Sequence, residues 1–114
     1  MTDTPLTLLQ RVFGFDAFRG DQLAIVERLG AGGDALVLMP TGGGKSLCYQ
    51  IPALLRPGVG IVVSPLIALM QDQVDALRQN GVAAAYLNSS LDWKEAQAIE
   101  NSARRGDLKL LYVA

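Results

Sequence analysis

Short apolar runs along this chain alternate with longer stretches in which apolar residues recur every three or four positions. The uninterrupted runs fall at residues 35–39, 60–63, 83–87 and 108–113. A run of this kind, rich in β-branched residues at 60–63, is typical of a strand buried on both faces, as in a parallel sheet. We therefore predict short strands at these positions.

The stretches with helical spacing predict helices that begin at Thr4-Pro5, near Leu23, after the glycines at 42–44, at Ser64-Pro65 and at Asp92. Thr4 and Asp92 are good N-caps, and Asp92 forms a capping-box pattern with Glu95. Pro52 is expected to bend or shorten the third helix. Connections too long for hairpins then indicate βαβ crossovers, which is an α/β fold with a parallel sheet and helices on both faces.

A glycine-rich turn stands between the first predicted strand and the helix that follows it. It reads Met39-Pro40-Thr41-Gly42-Gly43-Gly44-Lys45-Ser46. Glycines allow successive backbone N–H groups to point into one concavity, and the next helix start adds its own N–H groups and dipole. A lysine there reaches terminal phosphates, and the Ser46 hydroxyl is placed to ligate Mg²⁺. The turn is therefore predicted to be a P-loop that binds a nucleoside triphosphate.

Two other polar segments, Ser64-Pro65 and Asn88-Ser89, also follow predicted strands. The carboxyl ends of parallel strands meet at one edge of a sheet, where ligands bind. We expect both segments and the P-loop to converge on that rim. As alternatives, Ser64 is a helix cap and Asn88-Ser89 only a turn.

The P-loop departs from the usual G-x-x-x-x-G-K-[ST] pattern because Met39 holds the first glycine position. An ordinary glycine-rich loop is the simpler alternative, but the strand before it and the helix after it favour the P-loop. The departure disfavours a GTPase, and no later Asn-Lys-x-Asp element is present to read guanine. A P-loop kinase or GTPase remains a rival class of enzyme.

Composition narrows the range of partners. Ten basic residues stand against eleven acidic ones, so the formal net charge is −1 and nucleic-acid binding through bulk charge is not expected. The single cysteine, Cys48, excludes an internal disulfide and fits a reducing compartment. Without a leader-like start or a membrane-length apolar run, we expect a cytoplasmic, bacterial protein with no membrane contact. The oligomeric state is open.

Three segments in order carry a family resemblance: Phe15-Asp-Ala-Phe-Arg-Gly-Asp-Gln22, the P-loop with Leu-Cys-Tyr-Gln-Ile-Pro-Ala-Leu after it, and Val62-Val-Ser-Pro-Leu-Ile-Ala-Leu-Met-Gln-Asp-Gln-Val74. Together they resemble the RecQ family of DNA helicases over nearly the whole chain. The resemblance implies the first part of the first RecA-like lobe of an ATP-driven 3′ to 5′ helicase. It divides the chain into 1–33, helices with an adenine-reading segment, and 34–114, the beginning of the ATP-binding lobe.

The resemblance also assigns residues to roles. It implies that Gln22 reads adenine, with Phe15 and Arg19 beside the base, and that Ser64-Pro65-Leu66 touches single-stranded DNA. Asn88 and Ser89 are a weaker DNA-contact prediction. The residues expected at ATP and its Mg²⁺ are Phe15, Arg19, Gln22, Thr41, Gly42, Gly43, Gly44, Lys45 and Ser46, with Lys45 as the catalytic residue and Ser46 as the metal ligand.

This sequence differs from the family by holding Phe15 where Tyr is common and Gly20-Asp21 where Pro-Gly is common. It contains no Asp-Glu-x-His element, which the resemblance makes the Mg²⁺-holding and water-positioning group. The lobe is therefore expected to be incomplete, and a stand-alone or decayed ATP-binding module is the alternative function. Taken without the resemblance, Gln22 is a solvated helix-start residue. Cys48 is expected to be a small buried hydrophobe and Trp93 a packing residue.

Overall fold

The computed structural model describes residues 3–40 and 44–114, which fall into two compact units, 1–57 and 58–114. The first unit contains helices α1 (Pro5–Arg11), α2 (Gln22–Gly30) and α3 (Lys45–Leu55). The second contains β1 (Gly60–Val63), α4 (Ile67–Gln79), β2 (Ala84–Leu87), α5 (Trp93–Arg104) and β3 (Leu110–Val113).

The first unit is held together by the apolar faces of its helices. Its core consists of Leu8 and Leu9 from α1, Val26 from α2 and Ile51 from α3, all of them buried. Burying each such side chain contributes about 1.5–3 kcal/mol to folding. This core fixes the start of α2 and the start of α3 relative to each other, and both ends carry residues of the predicted nucleotide site.

Local signals account for how these helices begin. The Thr4 side chain accepts a hydrogen bond from the Thr7 N–H at 3.2 Å, as its N-cap position predicts. Pro52 does not shorten α3, which continues to Leu55, where the Arg56 N–H donates to the Pro52 carbonyl at 3.1 Å.

The second unit is a 3-stranded parallel sheet in the order β1-β3-β2. In register, Gly60 and Ala84 flank Leu110, and Val63 and Leu87 flank Val113. The crossover through α4 runs from one edge strand to the other, and the crossover through α5 runs back to the centre. Because such crossovers are right-handed, these opposite directions place α4 and α5 on opposite faces. The predicted α/β fold is confirmed.

The run 35–39 is not a strand in this structure, so that prediction is wrong. Leu36 and Leu38 are 89% and 87% exposed, and no described residue forms a β-ladder with this run. A strand needs a neighbour that takes up its N–H and C=O groups. Apolar composition indicates a tendency toward β-structure but cannot supply that neighbour.

The start of α4 also differs from the prediction. The helix begins at Ile67 rather than at Ser64-Pro65, and its N-cap is Leu66. The Ser64 hydroxyl instead accepts a hydrogen bond from the Leu66 N–H, two residues ahead, at 3.2 Å. That local turn uses the oxygen that would otherwise have capped the helix.

Candidate functional site

A buried glutamine joins the start of α2 to the start of α3. Gln22 is only 2% exposed, and its side-chain Oε1 accepts a hydrogen bond from the Arg19 N–H at 2.8 Å. Its Nε2 donates to the carbonyl of Gly44, the N-cap of α3, at 3.3 Å. The solvated interpretation of Gln22 is therefore wrong. The amide ties the segment before α2 to the last glycine of the P-loop sequence.

Gly44 occupies a conformation and a space that suit glycine. Its φ is +80°, in the left-handed region. A Cβ at this position would collide with the Gln22 Nε2 and would lie 3.5 Å from the Arg19 Nη2. Arg19, Gln22 and Gly44 are thus brought together, although Arg19 and Gln22 lie more than twenty positions before the glycine.

The predicted phosphate-binding residues begin helix α3. Lys45 is the first residue of the helix and is exposed, while Ser46 follows it and is half-buried. A glycine N-cap has no side-chain oxygen to accept from the first-turn N–H groups, an arrangement that suits an anionic ligand. Thr41, Gly42 and Gly43 lie outside the described residues.

Phe15 and Cys48 complete the surroundings of this site. Phe15 is 54% exposed, so more than half of its side chain is open to solvent. Cys48 is buried, as expected, and its Sγ–H points to the same Gly44 carbonyl at 3.8 Å. Burial raises the pKa of the Cys48 thiol. The sequence pattern gave no sign that Cys48 and Gln22 share an acceptor.

The second unit brings two predicted DNA-contact segments to one edge of its sheet. Ser64 follows β1, and its N–H donates to the Val113 carbonyl at 2.9 Å. Ala114 follows β3, and its N–H donates to the Leu87 carbonyl at 3.3 Å, one residue before Asn88. The carboxyl ends of β1, β2 and β3 therefore lie together, as predicted for these two segments, and convergence of the P-loop on the same rim stays a prediction. Pro65, Leu66 and Ser89 are exposed along this edge.

Asn88 makes a turn at this edge. Its Oδ1 accepts from the N–H and the hydroxyl of Ser90, and its Nδ2 donates to the Met70 sulfur at 3.8 Å. The turn interpretation is thus confirmed, because the amide oxygen bends the chain back on itself. A DNA-contact role for Asn88 stays a prediction.

Trp93 does not pack as the sequence suggested. It is 74% exposed at the first position of α5, and the Lys94 Nζ lies 5.8 Å from the centroid of its ring. No residue of α5 is buried, so the helix covers the sheet through half-buried residues only.

Within residues 3–40 and 44–114, no group of three or more His, Cys, Asp or Glu side chains is arranged to hold a metal ion. In the same part of the chain, no helix has the length and apolar character needed to cross a membrane.

The arrangement matches a known family. The model of the DEAD/DEAH box helicase family covers residues 19–113, and the chain belongs to this family.

Within that family the relatives are more specific. Over its whole length the chain is 51% identical to the ATP-dependent DNA helicase RecQ of Pasteurella multocida, of which it covers 18%. It is 48% identical to the Bacillus subtilis RecQ helicase over 94% of the chain and 18% of the relative. For the ATP-dependent DNA helicase Q-like 4B of Arabidopsis thaliana the identity is 48%, over 90% of the chain and 9% of the relative. The RecQ resemblance is confirmed, and the chain spans less than a fifth of these relatives' length.

Proposed function

We propose that this chain is the ATP-binding segment of a RecQ-type 3′ to 5′ DNA helicase and forms the first part of its first RecA-like lobe. The observation that carries the proposal is the buried Gln22 side chain, which reaches the carbonyl of Gly44 at the start of the Lys45-Ser46 helix. This amide holds the segment that carries Arg19 beside the start of the predicted phosphate-binding helix, which is where a base next to its phosphates would lie.

The chemistry at α3 suits the phosphates. Lys45 supplies a charge on a flexible stem, and the first-turn N–H groups with the helix dipole favour an anion. Mg²⁺ in triphosphate sites keeps several waters and takes one or two protein oxygens together with phosphate oxygens. The Ser46 hydroxyl could be one of these few protein ligands and would hold the ion. The charge of the ion would offset that of the phosphates.

The chemistry at Gln22 suits adenine. An amide oxygen has two lone pairs and an amide nitrogen two hydrogens, so each has capacity beyond its bond to Arg19 or Gly44. Adenine offers a donor at N6 beside an acceptor at N7, whereas guanine offers acceptors at both O6 and N7. Gln22 would therefore favour ATP over GTP, and Arg19 or the exposed Phe15 would cover the ring.

DNA is proposed to lie along the carboxyl edge of the sheet in the second unit. Ser64, Pro65 and Leu66 follow β1 there, and Asn88 and Ser89 follow β2. The net charge of −1 implies that this contact depends on local groups rather than on a broad basic surface.

Titration calorimetry with a non-hydrolysable ATP analogue tests the nucleotide site. Lys45→Ala is expected to abolish measurable binding without unfolding the protein, because the exposed side chain serves the ligand. Lys109→Ala, which removes the same charge in the second unit, is the matched control and should bind like the unmutated chain. Equal affinity of the Lys45→Ala variant and the unmutated chain would rule out the P-loop assignment.

A further inference from the structure

A solvated tryptophan stands beside the edge proposed to bind DNA. Trp93 is 74% exposed, although indole is among the side chains that gain most from burial. No element of the second unit covers it. Its ring is consequently available to an incoming planar group.

The turn after β2 fixes where this ring lies. β2 ends at Leu87, and the Asn88 carbonyl then accepts from the Leu91 N–H at 3.3 Å. The Asn88 Oδ1 holds the Ser90 N–H at 2.8 Å. Because this turn is tight, α5 must begin at the carboxyl edge of the sheet. Trp93, as the first residue of α5, shares that edge with Ser64-Pro65-Leu66.

The charged side chains beside the ring belong to Asp92, Lys94 and Glu95. Asp92 and Glu95 flank the pair, but the Asp92 Oδ1 accepts from the Glu95 N–H at 2.8 Å and Glu95 Oε1 from the Asp92 N–H at 3.5 Å. Both carboxylates serve the capping box and keep their negative charge, so Lys94 is the side chain beside the ring that would attract a phosphate. Lys94 lies 5.8 Å from the ring centroid, within the range of a cation–π interaction, and its ammonium faces solvent.

We propose that Trp93 is a stacking platform for one base of single-stranded DNA and that Lys94 binds the phosphate next to that base. An unpaired base has a free π-face, and stacking on an aromatic side chain tolerates any sequence. Duplex DNA keeps its bases stacked inside and offers no such face. This inference rests on the proposed helicase function and extends its DNA track along the edge toward α5.

Trp93 is the only tryptophan of the chain, so its fluorescence reports on this one site. Titrating the 114-residue chain with oligothymidylate should quench the emission saturably, whereas a blunt duplex of equal length should leave it nearly unchanged. Binding is measured independently by the anisotropy of an end-labelled oligothymidylate.

Variants separate stacking from charge. Trp93→Leu keeps an apolar side chain without a π-face and should weaken oligothymidylate binding about tenfold, with the salt dependence unchanged. Trp93→Phe should recover most of that loss. Lys94→Ala should make the negative slope of log affinity against log salt concentration shallower by about 0.7, the value for one phosphate of a single strand. Arg104→Ala, at the opposite end of α5, removes the same charge and should leave both quantities unchanged.

The outcomes distinguish this inference from the function on which it rests. Labelled DNA could bind without quenching Trp93 and bind Trp93→Leu as tightly as the unmutated chain. In that case the stacking role of Trp93 is wrong, and the proposal that DNA binds at this edge is unaffected. If no DNA binds, both are wrong. Quenching that depends on protein concentration without DNA would assign Trp93 to contacts between copies of the chain and would overturn the platform.

Discussion

Gln22 is the residue on which the proposed nucleotide site depends most, because its buried amide satisfies backbone groups on two segments. Gln22→Ala would leave the Arg19 N–H and the Gly44 carbonyl without these partners. A buried group left unpaired costs about 1–3 kcal/mol. We expect the variant to lose stability within that range in urea unfolding, while Gln79→Ala on the exposed end of α4 changes it little.

The same substitution tests base recognition. In a longer protein that carries the rest of the helicase, Gln22→Ala should weaken ATP binding and narrow its preference over GTP. Competition by tripolyphosphate should be unchanged, because the substitution removes neither Lys45 nor the first-turn N–H groups of α3. Should the unmutated protein bind ATP and GTP equally well, the adenine-reading role of Gln22 must be withdrawn.

Gly44 offers a prediction with an internal control. Gly44→Ala places a methyl group against the Gln22 Nε2 and imposes a left-handed conformation, at φ +80°, on a residue with a side chain. Gly14→Ala in the same unit meets nearly the same angle, +76°, but no heavy atom within 4 Å. In urea unfolding, both variants should lose about 1–2 kcal/mol of unfolding free energy because of the backbone conformation. Gly44→Ala should lose more than Gly14→Ala and should also bind ATP more weakly. Equal losses of unfolding free energy would mean that the Gln22 contact does not stabilise the protein.

At the scale of elements, the capping box of α5 is the clearest local determinant. Its helix has no buried residue, so it gains less from tertiary packing than α4 does. Asp92→Ala should therefore destabilise it by about 1 kcal/mol, the usual cost of removing an N-cap side chain. Amide hydrogen exchange should speed up in the first turn of α5. Asp75→Ala, in the middle of α4, is the control and should leave exchange in α5 as it was.

Sequence reasoning succeeded for elements whose cause is local. Thr4 and Asp92 cap helices as predicted because a cap depends on residues three positions apart. It failed where the cause lies elsewhere in the chain. The run 35–39 has the composition of a strand but pairs with no strand among the described residues. Trp93 has the large apolar side chain of a core residue, but no element of the second unit covers it.

The candidate site was predictable in part for the same reason. Lys45 and Ser46 could be predicted as phosphate and Mg²⁺ residues because a P-loop is a contiguous motif. The resemblance pointed to Gln22, but its bond to Gly44 spans 22 positions and has no periodic signature. The sequence likewise contains no indication that Gln22 and Cys48 both donate to the Gly44 carbonyl, because that contact depends on the tertiary structure.

At the scale of the whole molecule, exposed apolar side chains predict self-association of the 114-residue chain. Leu36, Leu38 and Val63 are 89%, 87% and 76% exposed, and β1 pairs only with β3 among the described residues. An uncovered apolar run and an open strand edge are templates for pairing with another chain. Sedimentation velocity should show association that increases with concentration and that Leu38→Lys reduces. Ala76→Lys, on the exposed side of α4, should not reduce it.

Turnover of ATP needs more groups than binding of ATP does. Phosphoryl transfer needs an oriented water and a metal clamp in addition to phosphate binding. The Asp-Glu-x-His element to which the resemblance assigns both tasks does not occur in the chain, which contains no histidine. We therefore expect the 114-residue chain to bind ATP weakly and neither to hydrolyse it nor to unwind DNA. Phosphate release should be measured with and without single-stranded DNA, taking the Lys45→Ala variant as the background from contaminating enzymes. DNA-stimulated phosphate release above that background would mean that residues within this chain orient the attacking water. The assignment of that task to an Asp-Glu-x-His element outside the chain would then be wrong.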